Sequence, residues 1–282
     1  MSETDTLLVI MGSAQDGGVP QLGMHEAGIL ERTAASAAVL GSGGEALLLD
    51  ASPDVRRQQR ALLEYPRNAA RHGNAFDGIL LTHGHMGHYA GLVQFGMEAH
   101  NADLVPCWGT RRMGSFLRSN EPWARLFREG HLVYYEIAPG EPFQPIPGLV
   151  AEAVAVPHRD EYTDTVAYII TAPSGKKALY LPDIDGWDDW DVADEVVAEV
   201  DVAVLDGTFY DENEMLGRLL AEVPHPFVVD TVARFEDYRQ TTHLVLSHLN
   251  RSNALCDDES QQSAWVRSQG FAVAWDGMAL EL

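Results

Sequence analysis

Three histidines, His83, His85 and His88, lie close together in the segment LLTHGHMGHYAGL, directly after an apolar run. Neutral imidazole nitrogens bind zinc, iron and manganese well, and a catalytic metal site keeps one coordination position open for water. An incidental surface cluster is the alternative in a chain that has 11 histidines. The polar residues that follow other apolar runs favour a metal site.

Metal-capable side chains recur where apolar runs end. Asp50 follows ALLL, His158 follows VAVP, Asp183 follows LYLP, Asp206 follows VAVL and His248 follows LVLS. The ends of neighbouring strands lie at one edge of a sheet, which is where α/β proteins usually place their sites. We therefore expect these residues and the three histidines to meet at such an edge.

The elements that must position these residues alternate between short apolar runs and helical patterns. Strands are predicted at 7–11, 37–40, 46–49, 79–82, 149–156, 166–171, 178–181, 202–205, 244–246 and 271–275. Helices are predicted at 55–64, 89–98, 113–118, 190–199 and 258–268. This order indicates an α/β fold, and a length of 282 residues is compatible with one domain over 1–282.

Composition excludes several kinds of partner. The net charge of −23 would repel nucleic acids and anionic membranes, so we expect a small-molecule substrate. Cys107 and Cys256 form no CxxC pair, which indicates neither a disulfide framework nor a thiolate zinc site and is compatible with a reducing cytoplasm. The polar N-terminal sequence MSETDT predicts no signal peptide, and no apolar stretch is long enough to predict a membrane span.

The order of the histidines and aspartates resembles the metallo-β-lactamase superfamily, whose signature is HxHxDH after a strand, then a distant His, a bridging Asp and a last His. The matching positions are His83, His85, His88, His158, Asp183 and His248. The resemblance implies an αββα sandwich with metal ions at one edge, between the two sheets.

Four further segments are GSAQDGGVPQLG (12–23), LLLDASPDVRRQ (47–58), LDGTFYDENEM (205–215) and SHLNRSNALCDDES (247–260). They are most similar to the group that contains the pyrroloquinoline quinone biosynthesis protein B and the cyclic-phosphate phosphodiesterase of phosphonate breakdown. Related proteins often dimerise, so the resemblance also implies a homodimer as one option.

Gly87 departs from the superfamily motif, which places a second-metal aspartate there. The first metal site implied by the resemblance is complete, and consists of His83, His85, His158 and Asp183. The second would keep His88, His248 and the bridging Asp183. We expect weak occupancy of this second site, unless a water or one of three nearby carboxylates completes it: Asp160, Asp185 or Asp206.

These residues support a metal-dependent hydrolase of a small-molecule ester, lactone or phosphodiester. A bound metal lowers the pKa of water to about 7, and Asp183 would orient the resulting hydroxide. Asp50 would hold a histidine ligand by its second nitrogen, or alternatively cap the helix that follows. Asp16, Asp206 and Asn250 are predicted to contact substrate, although turn and capping roles explain such residues nearly as well.

Two other functions remain open at this point. Histidines with one carboxylate also suit a mononuclear non-haem iron oxygenase related to quinone-cofactor biosynthesis, and a glycine at position 87 favours one metal. A non-catalytic metal-binding accessory protein is the third possibility. The expected cofactor is zinc, as one or two ions, with iron or manganese as alternatives. The remaining histidines of interest are interpreted as surface or packing residues: His25, His72, His100, His131 and His225.

Overall fold

The computed structural model describes residues 6–24, 30–69, 73–214 and 223–282. The strands are β1 Leu7–Gly12, β2 Ser36–Leu40, β3 Ala46–Leu49, β4 Gly78–Leu80, β5 Val105–Gly109, β6 Leu132–Glu136, β7 Val150–Ala155, β8 Val166–Thr171, β9 Lys177–Tyr180, β10 Val202–Asp206, β11 His243–Ser247, β12 Ala272–Val273 and β13 Ala279–Glu281. The α-helices are α1 Val55–Leu62, α2 Pro66–Ala69, α3 Met86–Tyr89, α4 Arg111–Ser119, α5 Trp123–Arg128, α6 Ala193–Ala198, α7 Val228–Phe235 and α8 Gln261–Ser268.

The strands form two mixed sheets. One sheet has the order β13-β1-β2-β3-β4-β5-β6 and the other the order β12-β11-β10-β9-β8-β7. Parallel pairing joins β3 to β4 in the first sheet, and β9, β10 and β11 in the second. Each sheet therefore has a group of neighbouring strands whose carboxyl ends lie at the same edge.

The helices and sheets form four layers, and an apolar cluster lies between each pair of adjacent layers. The central cluster joins the two sheets and contains Leu47 and Val39 from the first and Tyr168 and Val204 from the second. A second cluster packs α1, α4 and α5 on the outer face of the first sheet. A third packs α6, α7 and α8 on the outer face of the second. The result is the expected αββα sandwich, because each sheet buries both of its faces.

Every predicted strand is present, but β5, β6 and β13 were not predicted. β5 carries Pro106 within VPCWG, and β6 lies at the edge of its sheet with Tyr135 and Glu136 exposed, so neither shows the apolar run of a buried strand.

The helix predicted at 89–98 is different in the structure. The chain forms the short helix α3 and then a 3-10 helix, Ala90–Phe95. A Cβ on Gly91 would lie 1.9 Å from the Ser52 carbonyl oxygen, so the segment approaches the chain after β3 at backbone distance. Close packing against that turn, rather than helix propensity, determines its conformation.

None of the helices in the described ranges is long and apolar enough to cross a membrane.

Candidate metal centre

Four predicted residues converge at the edge between the sheets: His83, His85, His158 and Asp183. All four are buried. His85 Nδ1 lies 2.9 Å from His83 Nε2 and 3.1 Å from His158 Nε2. Asp183 Oδ2 lies 3.4 Å from His83 Nε2 and 3.3 Å from His158 Nε2.

This first group fits a metal ion in its spacing. Ligand atoms around a tetrahedral zinc ion with bonds of about 2.0–2.1 Å are separated by roughly 3.3–3.4 Å. The separations of 2.9–3.4 Å between these nitrogen and oxygen atoms are close to that value. These three nitrogen atoms and the carboxylate oxygen point towards one common space, as the ligands of a metal ion do.

A second group lies beside the first and consists of Asp16, His88 and His248, whose ligand atoms are within 4.8 Å of one another. The Nε2 atoms of His88 and His248 are buried and have no hydrogen-bond partner among the described residues. Asp183 Oδ2 is 3.9 Å from the first of these atoms and 3.7 Å from the second. Asp183 therefore lies between the two groups, and the unpartnered nitrogens fit a second cation.

Asp50 holds two of the histidines from the end of β3. Its Oδ2 is 2.7 Å from His88 Nδ1, and its carboxylate accepts from the backbone N–H and hydroxyl of Thr82. Because the Thr82 hydroxyl donates to Asp50, it accepts from His83 Nδ1 at 3.0 Å. Both rings then carry their proton on Nδ1, which leaves Nε2 free for a metal ion. Asp50 does not cap α1, which begins after Asp54.

Asp206 has the corresponding position at the end of β10. Its Oδ2 is 2.8 Å from His225 Nδ1, and its Oδ1 accepts from the Thr208 hydroxyl, which lies 2.8 Å from His248 Nδ1. We predicted that Asp206 contacts substrate, or completes the second metal site. The first prediction is wrong, because Asp206 is fully buried and its two oxygens accept these hydrogen bonds and those of two backbone N–H groups. The second stays a prediction, since a ligand atom of Asp206 lies within 4.8 Å of those of Asp183, His225 and His248.

His225 is the site residue that the sequence interpretation missed. It is buried, and its Nδ1 lies 3.4 Å from Asp183 Oδ1 as well as beside Asp206. The interpretation as a surface or packing residue is therefore wrong. His225 follows no apolar run and stands between Pro224 and Pro226, so no strand pattern indicated it. It is brought to the site by the pairing of Phe209 with Phe227.

Burial and neighbouring charges favour the protonation states in which several of these side chains can bind a metal ion. Burial lowers the pKa of His83, His85 and His248, which favours the neutral imidazoles that metal ions require. Burial alone would raise the pKa of Asp183, but the neighbouring imidazoles, first that of His158, hold it well below its usual range. The shared carboxyl is therefore ionised at neutral pH.

The other two imidazoles are affected in the opposite direction. Burial alone would lower the pKa of His88, but Asp50 outweighs it and raises that pKa to about 9. Asp206 acts in the same way on His225 and raises its pKa to about 9. Each carboxylate thus stabilises the protonated form of its histidine. The same negative charge would stabilise a metal cation bound near that ring.

The remaining predicted carboxylates and amide lie around this centre. Asp185 Oδ1 is 2.7 Å from His158 Nδ1, so it faces that ring and does not complete the second group. Asp160 is exposed and pairs with Arg112, so it cannot complete it either. Asn250 donates its side-chain N–H to Ser252 in a turn, and its contact with substrate stays a prediction.

Of the other histidines interpreted as surface or packing residues, two contact backbone atoms and two lie outside the described residues. His100 Nε2 accepts from the Ala75 N–H, and His131 Nδ1 lies 2.9 Å from the Ala102 carbonyl oxygen. His25 and His72 lie outside the described residues.

Comparison with known proteins gives one family and several relatives. Residues 45–249 match the family described as the beta-lactamase superfamily domain. The chain is 28% identical over 308 residues to the coenzyme PQQ synthesis protein B of a Methylobacterium species, covering 97% of this chain and 99% of that protein. It is 26% identical to the protein of the same name from Klebsiella pneumoniae, covering 97% of each.

Two solved structures share the fold. The structure of Zn²⁺-bound PqqB from Methylobacterium extorquens has a TM-score of 0.84 and 26% identity, and the match covers 98% of this chain and all of that one (100%). A diphosphatase from the PhnP family has a TM-score of 0.72 and 21% identity, and the match covers 98% of this chain and 97% of that one.

Proposed function

Because the chain belongs to the metallo-β-lactamase superfamily, we propose that it is a metal-dependent hydrolase whose substrate is a small phosphodiester or a related ester. One observation carries the proposal. Two neighbouring ligand groups share the single carboxylate of Asp183, and the second keeps two buried imidazole nitrogens that have no hydrogen-bond partner among the described residues. Burying such nitrogens without partners costs free energy, and a bound cation would offset that cost.

The cofactor that best fits these donors is zinc. Nitrogen and carboxylate ligands at tetrahedral spacing suit zinc, and the similar structure from Methylobacterium extorquens is described as Zn²⁺-bound. When bound, such ions act as Lewis acids towards a carbonyl or phosphoryl oxygen and make water a nucleophile at neutral pH. His83, His85 and His158 would hold one ion, and His88 and His248 the other.

The chain's own residues would orient these ligands and keep them in the required protonation state. Asp183 stays ionised between the two groups. Asp50 and Asp206 fix the rings that face them. His225 places positive charge 3.4 Å from Asp183 Oδ1, which opposes protonation of the shared carboxyl.

The choice of a phosphodiester rests on the residues at the edge of the site. Arg159 follows His158 directly, and its guanidinium lies 3.9 Å from Glu161 Oε1, which is itself 3.3 Å from His85 Nε2, so Arg159 lies close to the first group. Its Nε is buried without a hydrogen-bond partner among the described residues. Arg112 lies nearby, paired with Asp160. In a chain of strongly negative net charge, arginines at this place favour a substrate that carries negative charge.

The test compares three substrates on zinc-loaded protein: bis(p-nitrophenyl) phosphate, p-nitrophenyl acetate and a simple lactone. We expect the phosphodiester to be hydrolysed fastest, and His85→Ala to abolish hydrolysis and bind at least one metal ion fewer per chain. His100→Ala is the control, since His100 lies outside both ligand groups and its Nε2 accepts the backbone N–H of Ala75. Hydrolysis that survives in His85→Ala would rule out the metal mechanism, and a preference for the acetate or lactone would rule out the substrate class.

The mononuclear iron oxygenase has less support than the hydrolase. The argument for it was an incomplete second group, and the structure brings Asp16 to that group. Elemental analysis of protein purified without chelator separates the two functions. About one iron per chain would favour the oxygenase, and zinc or manganese the hydrolase.

A further inference from the structure

Gly87 and Asp16 occupy each other's space. A Cβ placed on Gly87 would lie 2.1 Å from Asp16 Oδ1 and 2.7 Å from Asp16 Cα, both far inside van der Waals contact. The Gly87 N–H donates to the same Oδ1 at 3.0 Å. A side chain at position 87 and the carboxylate of Asp16 therefore exclude one another.

The Asp16 carboxylate faces the second ligand group. Its Oδ1 lies 3.6 Å from the unpartnered Nε2 of His88, and 22% of the Asp16 side chain is exposed. Together with His248 it forms a set whose ligand atoms are within 4.8 Å of one another. The two buried nitrogens without partners are evidence of a ligand that is independent of the carboxylate.

The loop that carries Asp16 is fixed to the site by backbone hydrogen bonds. The N–H of Gln15 donates to the Leu249 carbonyl at 2.9 Å, directly after His248. Ala14 bridges both Ala34 and Leu249, and the N–H of Gly18 closes the turn on the Gln15 carbonyl at 2.8 Å. The position of Asp16 is thus set by the same chain segment that positions a metal ligand.

We propose that Asp16 is a ligand of the second metal ion, supplied by the loop after β1 in place of the carboxylate that the superfamily motif has at position 87. Gly87 is then a requirement of the site, since any side chain there would displace Asp16. This inference rests on the proposed metal centre. It assigns Asp16 to the metal ion, whereas the sequence predicted a contact with substrate, and it predicts a complete second site in place of weak occupancy.

Metal stoichiometry and affinity test the inference without reference to activity. Metal-free protein is titrated with Zn²⁺ by calorimetry and with Co²⁺ by visible absorption. We expect the wild-type chain to bind two ions. Asp16→Asn should bind the first ion as the wild type does and the second at least about tenfold more weakly. Asp160→Asn is the matched control, because that carboxylate is exposed and should change neither ion.

Gly87→Ala provides a second variant that keeps every ligand. The added methyl group displaces Asp16, so this variant should lose affinity for the second ion to a similar extent, and the double variant should lose little more than either single one. Gly186→Ala is the control, because its nearest atom to the added Cβ is 3.6 Å away. The thermal unfolding of each metal-free variant shows that it has folded.

The outcomes separate this inference from the proposed function. Unchanged second-ion affinity in Asp16→Asn, or a wild-type chain that binds only one ion at saturation, would overturn the role of Asp16. Two ions in the wild type with the second weakened in both variants would support it, even if none of the esters tested were hydrolysed. In that case the proposed function alone would fail.

Discussion

At the scale of single residues, a threonine between an aspartate and a histidine recurs twice. Thr82 connects Asp50 to His83, and Thr208 connects Asp206 to His248. In each case the hydroxyl donates to the carboxylate and so must accept from Nδ1 of the ring. A residue with no metal contact of its own therefore decides which ring nitrogen is available.

Thr208→Val tests this role. Valine has nearly the same shape but cannot accept from His248, so the ring loses its fixed tautomer and we expect the affinity for the second metal ion to fall about tenfold. Calorimetric titration with Zn²⁺ measures this. Thr242→Val is the control, since that buried hydroxyl bonds only to the Val197 and Val200 carbonyls. Equal metal affinity in the two variants would contradict the role given to Thr208.

At the scale of elements, the site depends on tight turns at the ends of strands. Asp50 follows β3 and His248 follows β11, and both have φ of 61°, in the left-handed region that costs energy for residues other than glycine. In each turn the chain changes direction at the first residue after the strand, so that the side chain of Asp50 or His248 points into the site. The surrounding hydrogen bonds to Thr82 and Thr208 offset that cost.

Gly91→Ala should disturb the packing of the 3-10 helix on the turn after β3. The added Cβ meets the Ser52 carbonyl oxygen and the backbone must move, so we expect a loss of about 1–3 kcal/mol in the free energy of unfolding. Urea denaturation of the metal-free protein measures it. The same substitution at Gly186 makes only an ordinary van der Waals contact, 3.6 Å from Asp189 Oδ2, and should change stability little. Similar losses at both positions would contradict this explanation.

Apolar runs in the sequence predicted all strands except β5, β6 and β13, together with the candidate ligands that follow them, because a buried strand needs an apolar run and its end marks the edge of the sheet. The same reasoning could not predict His225 or the place of Asp16. Both lie in loops, and their positions depend on contacts with distant residues: the pairing of Phe209 with Phe227, and the hydrogen bond from Gln15 to Leu249. Tertiary pairing of this kind leaves no local pattern.

At the scale of the whole molecule, both sheets contribute candidate ligands. His83 and His88 follow β4 in the first sheet, and His158, Asp183 and His248 follow β7, β9 and β11 in the second. A bound ion would therefore connect the two halves of the sandwich across the central apolar cluster.

Removal of metal should lower the melting temperature, because an ion that binds the folded chain stabilises it. A ligand that binds only the folded chain at about a thousand times its dissociation constant stabilises it by about 4 kcal/mol. Differential scanning calorimetry with excess zinc and with a chelator measures the difference. His85→Ala should show a smaller difference than the wild type, and His100→Ala the same one. A melting temperature that does not respond to zinc would contradict binding of the ion to the folded chain.

Asp183 Oδ2 lies within 3.3–3.9 Å of four imidazole nitrogens that belong to two ligand groups. The two ions would therefore not load independently. An ion at one group changes the charge and orientation that Asp183 presents to the other, so each ion alters the affinity of its neighbour by the same factor, whichever binds first. Binding of the two ions is then cooperative, positively or negatively. The shape of the metal-binding curve measures the coupling between the two sites through Asp183 Oδ2.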